Sequence, residues 1–194
     1  MSFTQKFYTA DTHFGHQLML ADVATARPFP HVQAMDEALI DNWNAVVRPN
    51  DLVYHLGDFA FGLADAARVR HIFERLNGRK RLILGNHDFI KQGVVHPAIA
   101  GLGWDAAPSP LVETNDEGER VVLCHYALRT WPGVRKGAWH FYGHNHGALP
   151  GVGRSRDVGV DCPDTGFAPC TFKQLTAAMR HDPIVVAEDP EFAP

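Results

Sequence analysis

The sequence is poor in the features that mark several specialised classes of protein. It has only three cysteines, Cys124, Cys162 and Cys170, and no Cys-x-x-Cys spacing. Neither a disulfide framework nor a thiolate zinc site is indicated, and reduced cysteines in the core or in loops are expected. No apolar run approaches the ~18 residues that read as a membrane span. The opening Met1-Ser2-Phe3-Thr4-Gln5-Lys6-Phe7-Tyr8 lacks the apolar centre of a signal peptide, so a cytoplasmic protein is expected. Positive charge is not in excess either: 18 Lys+Arg against 22 Asp+Glu leave a net charge of −4, the wrong sign for a chain that coats duplex DNA. A local basic patch is still compatible with that balance. Repeats, low-complexity tracts and a Pro/Gly linker are all missing, so residues 1–194 read as one domain with a continuous core. One residue type is abundant: the chain holds 12 His, as many as Phe. Their positions carry the functional reading.

The hydrophobic pattern places those positions on a framework. Lys6 to Ala10 reads as a strand ending at Asp11, and Met35 to Val47 as a helix with Met35, Leu39, Trp43 and Val46 at helical spacing, closed by Pro49 and Asn50. Asp51 to Leu56 reads as a short buried strand running into Gly57-Asp58. A second helix carries Val69, Ile72, Phe73 and Leu76 on one face with Gly78 as its C-cap, and Arg81 to Leu84 form a strand ending in Gly85-Asn86-His87-Asp88. Leu111–Thr114 and Arg120–His125 flank Asn115-Asp116-Glu117-Gly118 as an antiparallel hairpin. Trp139–Tyr142 and Asp157–Val160 read as further strands, and Thr171 to Met179 as a last helix. Helix–strand alternation followed by hairpin-type strands implies an α/β protein, with one mixed sheet or two packed sheets.

Five polar clusters each follow a short hydrophobic run: Asp11-x-His13, Gly57-Asp58, Gly85-Asn86-His87-Asp88, His125, and Gly143-His144-x-His146. The ends of strands are where open α/β sheets place their ligands. In extended chain, residues i and i+2 share a face, so Asp11 with His13, and His144 with His146, can converge on one point. Carboxylate, imidazole and amide oxygen without thiolate suit divalent ions such as manganese, iron or zinc.

These clusters, in this order and together spanning residues 11 to 146, resemble the signature of the calcineurin-like metallophosphoesterases. Asp11-Thr-His-Phe-Gly-His16, Arg27-Pro-Phe29, Met35-Asp-Glu37 and Gly137-Ala-Trp-His-Phe-Tyr-Gly-His144 are similar to a small, single-domain bacterial branch of that superfamily. The resemblance implies two mixed β-sheets packed as a sandwich flanked by helices. It implies two divalent ions, manganese being the most suitable and iron or zinc alternatives. Asp11, His13, Asp58 and His146 would hold one ion, and Asp58, Asn86, His125 and His144 the other, with Asp58 shared. His87 would stand outside the metal shell facing the substrate, with Asp88 fixing its tautomer or charge.

The chemistry then follows from the residue types. Two ions about 3.5–4 Å apart clamp a phosphoryl group and generate a bridging hydroxide that attacks in line, with no covalent enzyme intermediate. Their charge outweighs that of the two carboxylates and the hydroxide, so a phosphate anion is attracted to an acidic chain. His87 is the acid that stabilises the leaving oxygen. The expected reaction is hydrolysis of a phosphodiester or phosphomonoester. A phosphoprotein phosphatase and a non-catalytic metal-binding scaffold of the same fold are the alternatives.

The expected substrate is a small phosphorylated molecule, such as a nucleotide or a nucleic-acid end, without a stable nucleic-acid complex or a membrane. The segment from Ala127 to Lys136 is read as part of its binding wall, with Arg129 gripping phosphate and Trp131 stacking on a flat group. Arg27, Arg154 and Arg156 are weaker candidates of the same kind. His16 and His55 stay open between supporting and structural roles, His140 reads as structural, and His31, His71, His96 and His181 as loop or surface residues.

Overall fold

The computed structural model describes residues 4–21 and 26–179. The chain runs β1 (Lys6–Thr9), α1 (Val32–Val46), β2 (Leu52–His55), α2 (Ala66–Arg75) and β3 (Arg79–Leu82), then β4 (Phe89–Lys91), β5 (Val94–Val95) and α3 (Pro97–Ala100). It continues through β6 (Leu111–Asp116), β7 (Glu119–Cys124), β8 (Trp139–Tyr142), β9 (Ser155–Asp157), β10 (Cys170–Thr171) and α4 (Phe172–Thr176).

Two four-stranded mixed sheets result. The first has the order β10-β1-β2-β3, with β1, β2 and β3 parallel and β10 antiparallel to β1. The second has the order β6-β7-β8-β9, with β7, β8 and β9 parallel and β6 antiparallel to β7. Alternation along the strands shows how the sheets stack. Tyr8, Leu52 and Tyr54 of the first sheet pack with Val121, Leu123, Trp139 and Phe141 of the second in one core. Their strand neighbours Phe7 and Val53 point the other way, onto Met35, Leu39 and Trp43 of α1 and Val69 and Phe73 of α2. The fold is thus the expected α/β class with two packed sheets. Over the outer face of the second sheet lies the 126–138 segment, whose Trp131 and Ala138 pack on Val122. No helix of the described residues is long and apolar enough to cross a membrane.

Element boundaries depart from the sequence pattern where the backbone changes partner. The strand expected at 81–84 is assigned as Arg79–Leu82. Beyond Leu82 the extended chain switches, as Ile83 N donates to His55 O at 2.8 Å but Leu84 N donates to Ser109 O at 3.0 Å. The strand expected at 157–160 is assigned as Ser155–Asp157 because residues 158–160 cross between sheets: Val158 N bonds Tyr142 O and Val160 N bonds Ala10 O. Helix α1 starts at Val32, since His31 acts as its N-cap and its Nδ1 accepts from Ala34 N at 3.1 Å. Val46 is 40% exposed and Val47 takes its place in the core. Gly78 does not cap α2: the C-cap is Leu76 in extended conformation, and Gly78, at φ +82°, turns the chain into β3. The hairpin is tighter than expected. Asn115 and Asp116 belong to β6, and the turn is Glu117-Gly118 with both φ positive, the combination that matches strand twist.

Candidate metal centre

The polar clusters meet because the parallel strands of both sheets end on the same side. Asp11 follows β1, Asp58 follows β2, Asn86 follows β3, His125 follows β7, and His144 and His146 follow β8. Backbone bonds tie the loops together past the sheet: Asp11 N to Gly57 O, His13 N to Asp58 O and Phe14 N to Phe59 O, all within 3.0–3.1 Å. Gly57 and Gly85 allow this approach. A Cβ on Gly57 would lie 2.5 Å from Gly85 N, and one on Gly85 would lie 2.3 Å from Asp58 Oδ1.

The side chains form three groups whose ligating atoms lie within 4.8 Å of one another: Asp11, His13 and His146; His13, Asp58 and His87; and Asp58, His125 and His144. Asp58 Oδ2 stands between the two halves, 3.6 Å from His13 Nε2 and 3.5 Å from His125 Nε2. Asn86 Oδ1 lies 3.0 Å from both His125 Nε2 and His144 Nδ1. All seven residues read as ligands therefore converge, and His87 lies close enough to stand in a group with two of them.

Several of these buried atoms lack a hydrogen-bond partner. Asp11 Oδ1 and both ring nitrogens of His13 have none. A buried polar atom without a partner costs about 1–3 kcal/mol, so a cluster of lone-pair donors with nothing to donate to them fits a cation. Nearby groups fix which nitrogens face inward. His125 Nδ1 donates to Leu56 O at 2.7 Å and His146 Nδ1 donates to Asp161 Oδ2 at 2.7 Å, which leaves Nε2 of each ring as the atom that could ligate.

Burial and close packing shift the titrating groups of the cluster. Burial pushes the Asp11 carboxyl up to about 8, against the pull of His125 and His146. Burial likewise pushes His13 down to about 2, keeping it neutral. At Asp58 burial works upward, but contact with His125, the nearby His13 and the His87 backbone N–H hold the carboxyl below its usual range. For His125 burial works downward, and Asp58 and Asp11 outweigh it to raise the imidazole to about 9.

Other expectations are corrected. Asp88 has partners other than His87. Its carboxylate accepts from Asp58 N at 3.0 Å, Gly85 N at 2.8 Å and Phe59 N at 3.3 Å, bracing the two ligand loops against each other. Trp131 is no stacking platform: it is 5% exposed, and its Nε1 donates to Ala138 O at 2.8 Å. Arg129 is exposed, and none of the contacts that knit the cluster involves it. Arg27 is wholly buried and does not face substrate. Its guanidinium donates to Asp11 O at 2.6 Å, Thr12 O at 2.8 Å and both oxygens of Asp161 at 2.8 Å. Arg154 donates to Gly137 O, and Arg156 pairs with Asp164.

The histidines left open also find their places. His55 Nε2 lies 2.9 Å from Thr12 Oγ1, which itself donates to Phe59 O, so His55 steadies the backbone between Asp11 and His13. His16 is buried and stacks on Phe61 at 3.9 Å between ring centroids, within 5.2 Å of the His13 ring. His140 is structural, accepting from Leu128 N and donating to Val122 O. His96 caps α3, His71 is exposed, and His181 lies outside the described residues.

Sequence reasoning missed Asp161, which joins Arg27 to His146, and Asp157, which accepts from Gly147 N and Gly159 N. It also missed Tyr126, a half-exposed ring set edgewise against His125 and His144. Only the position of Tyr126, directly after a ligand, could have suggested it.

No family model matches the chain. An uncharacterised protein of Methanocaldococcus jannaschii is 42% identical over 88 residues, 45% of this chain and 49% of the relative, so the chain spans about half the length of that curated relative. A protein of unknown function from Aquifex aeolicus has a similar structure, at TM-score 0.67 and 21% identity over 91% of this chain and all of the other. A phosphoesterase from E. coli overlays on 81% of this chain and 79% of its own at TM-score 0.42 and 15% identity, too loosely to bear on function.

Proposed function

We propose that the chain is a metal-dependent phosphoesterase acting on a small phosphorylated substrate, a phosphodiester or phosphomonoester. The observation that carries this reading is the placement of Asp58 Oδ2 between His13 Nε2 and His125 Nε2, beside Asp11 Oδ1 and the His13 ring nitrogens, buried atoms that have no hydrogen-bond partner. Two sets of oxygen and nitrogen donors with one shared carboxylate fit a pair of divalent ions, manganese first and iron or zinc next. Bound there, such ions supply a clamp for the phosphoryl oxygens and a water acidic enough to attack phosphorus.

This chain's own groups would do the rest. Leu56 O and Asp161 hold His125 and His146 in the tautomers that present Nε2, while Arg27 anchors the carbonyls of Asp11 and Thr12. The backbone N–H of His87 donates to Asp58 Oδ1 at 2.8 Å, which sets the His87 imidazole beside His13 at 5.1 Å between rings. From there a ring nitrogen of His87 can pass a proton to the leaving oxygen, a contribution of about 10²–10⁴ in rate.

The test joins composition to activity. Protein purified without chelator is assayed for metals, and hydrolysis of bis-p-nitrophenyl phosphate and p-nitrophenyl phosphate is followed after manganese is added. About two ions per chain with metal-dependent turnover is the expected result. Asp58→Asn should lose both. Failure to bind metal tightly after reconstitution would remove the basis of the reading.

A further inference from the structure

Beside the metal cluster lies a cleft of about 390 Å³ that no part of the proposed chemistry uses. One end is formed by Asn86, which also faces His125 and His144. Its lining joins Tyr126 to the β4–β5 hairpin, with Ile90, Lys91 and Gln92 along the hairpin. Tyr126 is 46% exposed and Ile90 is 58% exposed, so both bring apolar surface to a cleft beside a polar site. The Tyr126 ring is braced edgewise by two ligand rings, at 5.1 Å from His125 and 4.8 Å from His144, so its position is tied to that of the metal cluster. Lys91 makes no ion pair among the described residues.

We infer that this cleft binds a flat ring carried on the substrate, stacked between Tyr126 and Ile90, and that the ring is the base of a nucleotide. The inference rests on the phosphoesterase reading and names its substrate class. A braced aromatic facing an aliphatic wall accepts any flat heterocycle. Gln92 supplies both a donor and an acceptor for the edge of a base, and the Lys91 ammonium suits a further phosphate. A plain alkyl or sugar phosphate would leave the Tyr126 and Ile90 faces in water. The role that the sequence suggested for Trp131 thus falls to Tyr126, five positions earlier on the same segment.

Binding of 2-aminopurine riboside 5′-phosphate to manganese-loaded protein tests this, because its fluorescence is quenched when the ring stacks. Methyl phosphate competes for the phosphate position alone. The nucleotide should be quenched and bind at least about tenfold more tightly than methyl phosphate, within the range of a single base–aromatic stack. Tyr126→Ala should remove most of that advantage and Tyr126→Phe should keep it. Ile90→Gly lies on the hairpin, is not among the candidate ligands, and should reduce the advantage without loss of metal. Equal affinity for the two anions, binding without quenching, or an unchanged advantage in Tyr126→Ala with Ile90→Gly would overturn the ring subsite and leave the phosphoesterase reading standing. Metal-loaded protein that binds neither anion would overturn the phosphoesterase reading, and the subsite with it.

Discussion

Removing the carboxylate of Asp161 should damage both the fold and the metal centre, by amounts that can be separated. Asp161 accepts from Arg27 Nε and Nη2, each at 2.8 Å, and from His146 Nδ1 at 2.7 Å. The Arg27 side chain is 0% exposed and that of Asp161 is 5% exposed, so Asp161→Ala leaves a buried guanidinium without its counter-charge. Breaking a buried pair in this way costs about 3–5 kcal/mol. Arg27 keeps its bonds to Asp11 O and Thr12 O, which places the cost near the lower end, about 3 kcal/mol. For a domain of this size that is a fall in Tm of roughly 6–12 °C. His146 also loses the group that fixes its tautomer, and such losses weaken metal binding about 10–100-fold. Replacing both partners, Arg27→Met with Asp161→Leu, should recover only part of the Tm, because the carbonyls of Asp11 and Thr12 then lose their donor, and none of the metal affinity. Calorimetric unfolding and manganese titration read the two effects separately. A Tm within about 2 °C of the parent in Asp161→Ala, with unchanged metal affinity, would refute the reasoning.

His87→Ala should retain its metals while kcat falls about 10²–10⁴-fold, and full activity with metals in place would take His87 out of the mechanism. Manganese binding to metal-free protein should release protons. Asp11, raised to about 8, and His125, raised to about 9, are both protonated at neutral pH and must lose those protons to ligate. Affinity should therefore climb steeply with pH up to about 8, less steeply to about 9, and then level off, and calorimetry in buffers of different ionisation heat measures the release. A flat profile would mean that these groups are not ligands. Trp131→Ala should cost about 3–5 kcal/mol of stability by chemical denaturation while leaving KM for nucleotide esters unchanged. A raised KM with normal stability would return Trp131 to the substrate wall.

Much of the fold is legible in the sequence because each strand alternates between two different environments. Phe7 and Tyr8 face the helix layer and the second sheet respectively, and both demands are hydrophobic. Boundaries blur where extended chain leaves one partner for another, as at Ile83–Leu84 and at residues 158–160. Local composition carries no trace of such an exchange. The start of α1 was hidden because histidine is an uncommon cap. The convergence of the candidate ligands was readable for a different reason: each closes a hydrophobic run, so chain position alone delivers it to a strand end. Their supports were not. Arg27 and Asp161 lie 134 positions apart, and a loop rich in arginine with one tryptophan reads equally as binding wall or as the cover of a sheet. Burial decided between those readings, giving Trp131 to the core and Tyr126 to the surface.

The backbone of the candidate ligands points to a dependence that composition hides. Asp11, His13, Asp58, His144 and His146 all have positive φ, between 47° and 69°, and only Glu117 and Phe167 do so otherwise among the described non-glycine residues. At about 1 kcal/mol or more each, five such residues store at least about 5 kcal/mol, before the unpartnered atoms of Asp11 and His13 are added. A domain with about 5–15 kcal/mol of net stability can hold this strain only narrowly by itself. An ion present at 100 times its dissociation constant returns about 2.7 kcal/mol, so two return about 5 kcal/mol, close to what the strained loops cost. The ions would then contribute to the folded state as much as to chemistry. Removing them with a chelator should lower Tm by roughly 10–20 °C, and manganese should restore it in a concentration-dependent way. A change below about 2 °C in protein shown by elemental analysis to have lost its metals would mean that the strain is supported by the protein's own contacts, with Asp88 and the Arg27–Asp161 pair the first candidates.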